Sequence, residues 1–200
     1  MKINKKIIEK TRKYAKRLYA KSKFVCHDWD HIAFVTNHAK YIAKKEGMDI
    51  QIAEMGALLH DFGRTNEKKG IEHAVTSAEM AEKYLKSLKL DKEVIKHILD
   101  TIRHHSGTNI FNAETREALA VYDADKLSVI HPSGLVPVAI WIKHEEPKAK
   151  SEEVYDLYIK ACKKRIKRMQ TKTGKILAKK YFNQTKEFRK HYEAMRKKCK

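Results

Sequence analysis

The chain has 200 residues, with 44 Lys and Arg against 25 Asp and Glu, a formal charge of +19, and only seven glycines and three prolines. So few turn-formers exclude a sandwich or barrel, and no apolar run reaches the roughly eighteen residues of a membrane-spanning helix. Cys26, Cys162 and Cys199 share no metal-binding or redox spacing, so no disulfide framework is expected and a reducing cytoplasm is the expected compartment.

The charge is segregated along the chain. Residues 1–25 hold ten bases and one acid, residues 151–200 hold seventeen and five, and residues 26–150 carry a net −2. Basic flanks attract anions, so phosphates, nucleotides or nucleic acid are expected partners; a plain solubilising lysine surface is the alternative.

Taken in chain order, Ile3, Ile7, Tyr14, Leu18 and Tyr19 recur among lysines at the spacing of a helix over 3–20. Charge runs throughout this segment, so no secretory leader is expected. Asp28 or Asp30 caps the next helix, whose apolar face is Ile32, Val35, Ala39, Ile42 and Ala43, and Gly47 ends it. Asp49 caps a third, in which residues 50–59 are nearly all apolar, and a helix apolar all round must be central. It runs into His60-Asp61-Phe62-Gly63, where Gly63 offers a stop. Further helices are expected over 72–88, from Asp91 to His104-His105, over 113–130, and briefly to Trp141. Two long basic helices follow over about 151–170 and 174–198. Val138–Ile142 alone resembles a strand, and it has nothing to pair with. The expected fold class is all-α. One domain is expected over 1–150, with a basic helical extension over 151–200 packing on it.

Imidazoles and carboxylates recur where these helices begin or end: His31, His60-Asp61, His73 and His104-His105. Asp125 lies on the otherwise apolar stretch Leu119–Ile130. Burying a lone carboxylate costs several kcal/mol unless a cation or strong hydrogen bonds compensate. Histidine with carboxylate suits Zn, Fe, Mn, Co or Ni better than Mg or Ca alone. A single histidine at a helix end is ordinarily a cap, and it is the ordered set that points to a metal.

That ordered set, His31 … His60-Asp61 … Asp125, resembles the signature of the HD superfamily of metal-dependent phosphohydrolases. Asp28-Trp29-Asp30-His31 is similar to its "DWDH" text, residues 57–64 to "ALLHDIGR" and residues 122–127 to "DADKL"; the likeness covers about 25–145. The resemblance implies a helical bundle in which His31, His60, Asp61 and Asp125 ligate one divalent ion, with Asp61 able to bridge to another. It implies one or two ions of Mn, Fe, Ni, Co or Zn, with Mg as a further option. His73 and the His104-His105 pair match the positions of a second metal, with His104 the expected ligand of the pair. The cyclic-dinucleotide phosphodiesterase branch has Gly-Tyr-Pro after that pair, and this chain departs from it with Ser106-Gly107-Thr108.

The implied activity is hydrolysis of a phosphomonoester or phosphodiester in a nucleotide-like substrate, with Asp61 at the reacting centre. Arg64 and Lys126, each close to a ligand in sequence, are expected to bind phosphate; Lys68 and Lys69 are weaker candidates. Asp123 orients a ligand imidazole, or else is a cap or surface carboxylate. His38 is expected at the edge of the core, and Trp29 and Trp141 are expected as packing anchors. The competing reading is a non-catalytic protein of the same fold that binds a nucleotide or nucleic acid. It draws on Tyr181, Phe182, Phe188 and Tyr192 among the lysines of the tail, although docking of the last helix accounts for those aromatics too.

Overall fold

The computed structural model describes residues 1–20, 26–66, 72–107 and 109–198; the expectations at Lys68, Lys69 and Cys199 fall outside them. Regular structure among these residues is entirely helical, nine α-helices and three short 3-10 segments with no strand, so the chain is all-α. None of the described helices is long and apolar enough to cross a membrane. Contacts divide the chain into two compact units, Met1–Asp125 and Lys126–Lys200.

The first unit carries α1 (Lys5–Tyr19), α2 (Trp29–Glu46), α3 (Ile50–Leu59), a 3-10 segment (Phe62–Asn66), α4 (His73–Ser87), α5 (Lys92–Arg103), a second 3-10 segment (Asn109–Asn112) and the start of α6 (Arg116–Ile130). The helix starts follow local chemistry. Asn4 accepts from the Ile7 amide, Asp28 from His31, and Asp49 from Gln51 and Ile52. Gly47 closes α2 in the left-handed region at φ 65°. Asp91 precedes α5 without capping it, because its carboxylate pairs with the Met1 ammonium.

α3 is the central element, packed by α1, α2 and α5. Met55, Ala57, Leu58 and Leu59 are fully buried, and each large side chain among them contributes about 1.5–3 kcal/mol. α3 is not apolar on every face, however. Glu54 is buried within it, and its carboxylate is met by Arg12 of α1 and by Lys40 of α2 at 3.0 Å. Two cations from neighbouring helices replace the water it has lost.

Two glycines set the spacing around the centre. A Cβ at Gly56 would fall 1.8 Å from Thr101 Oγ1, so α3 and α5 approach at a distance that only glycine permits. A Cβ at Gly63 would fall 2.5 Å from the His73 carbonyl oxygen, and the Gly63 amide donates to Ser77 Oγ at 2.8 Å. Gly63 therefore serves as a contact point for the first turn of α4, and the chain continues past it in the 3-10 segment.

The second unit holds the end of α6, a 3-10 turn (Pro132–Gly134), α7 (Leu135–Glu145), α8 (Ser151–Ile166) and α9 (Lys172–Lys198). The strand-like stretch Val138–Ile142 is part of α7. α9 lies against α8 through Tyr155, whose ring stacks at 6.3 Å on Phe188 and 6.2 Å on Tyr192, with the Arg189 guanidinium over its face. Tyr181 meets His131 edge to face. Tyr181, Phe188 and Tyr192 of the basic tail are thus engaged within this unit, with Phe188 still half exposed. Trp29 packs on the core of the first unit, whereas Trp141 of α7 is exposed, contrary to its expected role as an anchor.

Candidate metal centre

All but one of the functional side chains owe their place to a helix end. The Asp28 cap fixes the first turn of α2 and with it His31, the third residue of that helix. His60 and Asp61 follow the last turn of α3, the most buried helix, so both are almost entirely buried. His73 is the first residue of α4, brought in by the close approach at Gly63. His105 lies just past α5, and Asp125 comes from the third turn of α6.

These side chains form two groups that share Asp61. On one side, His31 Nε2 stands 3.3 Å from His60 Nε2, 3.4 Å from Asp61 Oδ2 and 3.5 Å from Asp125 Oδ1, and His60 Nε2 is 3.3 Å from Asp61 Oδ2. On the other side, His73 Nε2 stands 3.1 Å from His105 Nε2, and the two lie 3.8 and 3.5 Å from Asp61 Oδ1. Asp61 thus presents one oxygen to each pair of imidazoles.

The ring tautomers follow from the backbone. His60 Nδ1 donates to the Ala57 carbonyl at 2.7 Å and His105 Nδ1 to the Ile102 carbonyl at 2.6 Å. A carbonyl only accepts, so a proton is on Nδ1 in each ring and Nε2 is the atom turned inward to the cluster. Burial alone would lower the His60 pKa, but Asp61 and Asp125 outweigh it and raise the value above the ordinary one. For Asp61 burial works upward, and His60, His27 and the hydrogen bonds of His105 and His27 reverse it, holding the carboxyl well below the usual range. Burial, with His105 and Arg64 nearby, lowers His73 to about 3, and burial also lowers His105.

Such a donor set fits a divalent ion. Ligand atoms at metal bond lengths of 2.0–2.2 Å stand about 3–3.5 Å from one another around the ion; most separations in the two groups fall there, while His73 to Asp61 Oδ1 at 3.8 Å and His60 to Asp125 Oδ1 at 4.0 Å are wider. Unprotonated imidazole nitrogens facing a carboxylate repel unless a proton or a metal ion stands between them. The groups His27–His31–Asp61, His31–His60–Asp125 and His60–Asp61–His105 each bring three ligand atoms within 4.8 Å of one another.

The structure brings together His31, His60, Asp61, Asp125 and His73, but it replaces His104 with His105. α5 ends at Arg103, and His104 stays one turn above Asp100, whose carboxylate takes its Nδ1 at 2.8 Å. Asp100 also accepts from the Thr115 amide and hydroxyl ahead of α6, at 2.8 and 2.6 Å, so His104 belongs to a structural junction. Arg64 Nε lies 3.9 Å from Asp61 Oδ1. Lys126 follows Asp125 in α6 and begins the second unit. Asp123 is fully buried, which rules out a surface carboxylate. His38 donates to the Phe34 carbonyl at 2.9 Å and stays out of the cluster.

The sequence reading missed His27. Its Nδ1 lies 2.6 Å from Asp61 Oδ2, and its ring meets that of His31 edge to face at 5.2 Å. A signal was present in the recurrence of imidazole at the fourth residue before His31, on the far side of the Asp28 cap.

Residues 28–130 match the HD domain family, and the chain belongs to that family of metal-dependent hydrolases. It is 35% identical over 104 residues to the tRNA (cytidine(56)-2'-O)-methyltransferase of Thermoplasma volcanium, and equally so to ribonuclease Y of Alkaliphilus metalliredigens. The matches take in 49% and 51% of this chain but only 30% and 20% of those two proteins. Among solved structures, an HD-superfamily hydrolase from Bacillus thuringiensis is 28% identical with a TM-score of 0.70, covering 94% of this chain and 98% of that one. Bacillus subtilis YpgQ, in complex with ADP, shares the fold at a TM-score of 0.71 and 22% identity, covering 94% of this chain and 96% of that one.

Proposed function

We propose that this protein is a phosphohydrolase that cleaves a phosphate ester of a nucleotide at a metal centre built on His31, His60, Asp61 and Asp125. The observation that carries the reading is the convergence of two imidazole Nε2 atoms and two carboxylate oxygens at 3.3–3.5 Å around His31. The complex of YpgQ with ADP supports a nucleotide as substrate, and the ribonuclease Y relative supports hydrolysis at phosphorus.

His73 and His105, with Asp61 Oδ1, are assigned to a second ion. The mixture of nitrogen and oxygen donors favours Mn, Fe, Co, Ni or Zn over Mg. A divalent ion there supplies a water acidified toward neutral pH and neutralises charge on the phosphoryl group. The protein's own part is orientation. The Ala57 and Ile102 carbonyls lock the His60 and His105 rings, and burial of Asp61 keeps bulk water from competing for its oxygens. Arg64, beside Asp61, and Lys126 are assigned to the phosphate oxygens, where fixed cations stabilise charge that grows during transfer.

Asp61→Asn tests this directly, with a panel of nucleoside mono-, di- and triphosphates, cyclic nucleotides and short oligonucleotides, and Mn, Co, Ni or Mg added. Chelator-sensitive release of phosphate or nucleotide by the wild type, lost in the variant, is the expected result; the panel also separates phosphatase from phosphodiesterase. Equal turnover by the two proteins overturns the proposal.

A further inference from the structure

His27 stands apart from every other contact in the cluster by its length. The ligand pairs sit 3.1–4.0 Å apart, whereas His27 Nδ1 and Asp61 Oδ2 are 2.6 Å apart. At 2.6 Å the two atoms stand at hydrogen-bond distance, closer than the roughly 3–3.5 Å at which ligand atoms ordinarily stand around a common ion. The contact is therefore a hydrogen bond, although His27 lies near enough to be grouped with His31 and Asp61. A carboxylate oxygen only accepts, so the proton of this contact is on His27 Nδ1. Oδ2 has a second lone pair, which keeps a direction open toward His31 Nε2 at 3.4 Å. The His27 side chain is one-quarter exposed, while that of Asp61 is almost wholly buried. The donor therefore reaches in from the rim to the one carboxylate that serves both imidazole pairs.

We propose that His27 is a positioning residue of the metal centre: its Nδ1–H fixes the rotation of the Asp61 carboxylate, so that Oδ2 stays turned toward His31 and His60 and Oδ1 toward His73 and His105. The backbone supports the assignment. His27 directly precedes the Asp28 cap, so the capping contact that sets His31 in the first turn of α2 also holds His27 beside it, both on Asp61 Oδ2. One cap thus delivers a ligand and the donor that orients the ligand's neighbour. Outer partners of this kind, when removed, cost metal sites about ten- to a hundredfold in affinity.

The proposal rests on the metal-centre reading above, and the test separates the two. The full-length wild type, His27→Ala and His27→Asn are stripped with chelator and titrated with Mn²⁺ alone by calorimetry, with helicity and melting temperature measured in parallel. An asparagine amide N–H occupies nearly the place of a histidine Nδ1–H but has no counterpart to the rest of the ring. His27→Ala is expected to bind Mn²⁺ about ten- to a hundredfold more weakly with its helicity intact, and His27→Asn within about threefold of wild type. Wild-type affinity in His27→Ala overturns the proposal. So does His27→Asn binding as weakly as His27→Ala, because the Nδ1 donor is then not what matters. A wild type that binds no Mn²⁺, Co²⁺ or Ni²⁺ overturns the metal-centre reading and takes this proposal with it.

Discussion

His73 and His105 stand 32 residues apart in the chain and meet Nε2 to Nε2 at 3.1 Å beside Asp61 Oδ1. Both rings are held neutral by burial, and the His105 tautomer turns a lone pair into this contact. The pair and the His31–His60 pair lie on opposite oxygens of one carboxylate, which makes the second group separable from the first. Replacing both His73 and His105 with alanine is expected to remove one equivalent of bound metal and leave one, as read by elemental analysis after dialysis. Loss of all metal, or of none, contradicts the separation.

His104 gives the opposite expectation. Its Nδ1 is committed to Asp100, which is buried at the junction of α5 with α6. His104→Ala is expected to lower stability by about 1–3 kcal/mol, the cost of stripping a partner from a buried carboxylate, with metal content unchanged. A denaturant titration and a metal assay on the same sample decide it, and a metal deficit with normal stability would contradict it.

Gly63 connects backbone geometry to the site. A methyl group there meets the His73 carbonyl oxygen and the Ser77 amide nitrogen at 2.5 and 2.7 Å, and neither atom can rotate away. Gly63→Ala is expected to push α4 outward, costing about 1–3 kcal/mol and weakening the His73–His105 group before the His31–His60 group. Gly56→Ala meets the Thr101 side chain and is expected to lower the melting temperature without that selectivity.

Acid should destabilise the metal-free protein. His73 drops from 6.5 to about 3 on folding, and His105 and Asp61 are also held low. Groups that bind protons more readily when unfolded contribute stability above their ordinary values and lose it as pH falls toward the folded ones. His60, raised on folding, works the other way and offsets part of the loss. The melting temperature in chelator is expected to fall from pH 7 to pH 4, and to fall less steeply in His73→Ala. An equal slope in the two proteins would rule out this origin.

How much of this was legible in the sequence depended on range. Asp28, Gly47 and Asp49 act within a turn of their own helices, so the bounds of α2 and α3 could be read directly. His31, His60, Asp61 and Asp125 stand in local text close to that of a known family, and the structure brings them together. The choice between His104 and His105 could not be made locally, because it turns on Asp100 capturing the first ring where α5 ends. Glu54 was hidden for a related reason, since its neutralising partners come from α1 and α2. Gly63 reads as a stop in sequence, and only the packing of α4 reveals it as a point of close approach.

A divalent metal centre that hydrolyses phosphate esters must hold its ion and lose turnover without it. Its most direct test is the metal content of the purified protein, measured together with turnover of nucleotide substrates before and after chelation. One or two equivalents of transition metal per chain, with turnover abolished by chelator and restored by Mn²⁺ or Co²⁺, is the predicted result. A protein that holds no metal and turns over no phosphate ester with any added ion would contradict the account.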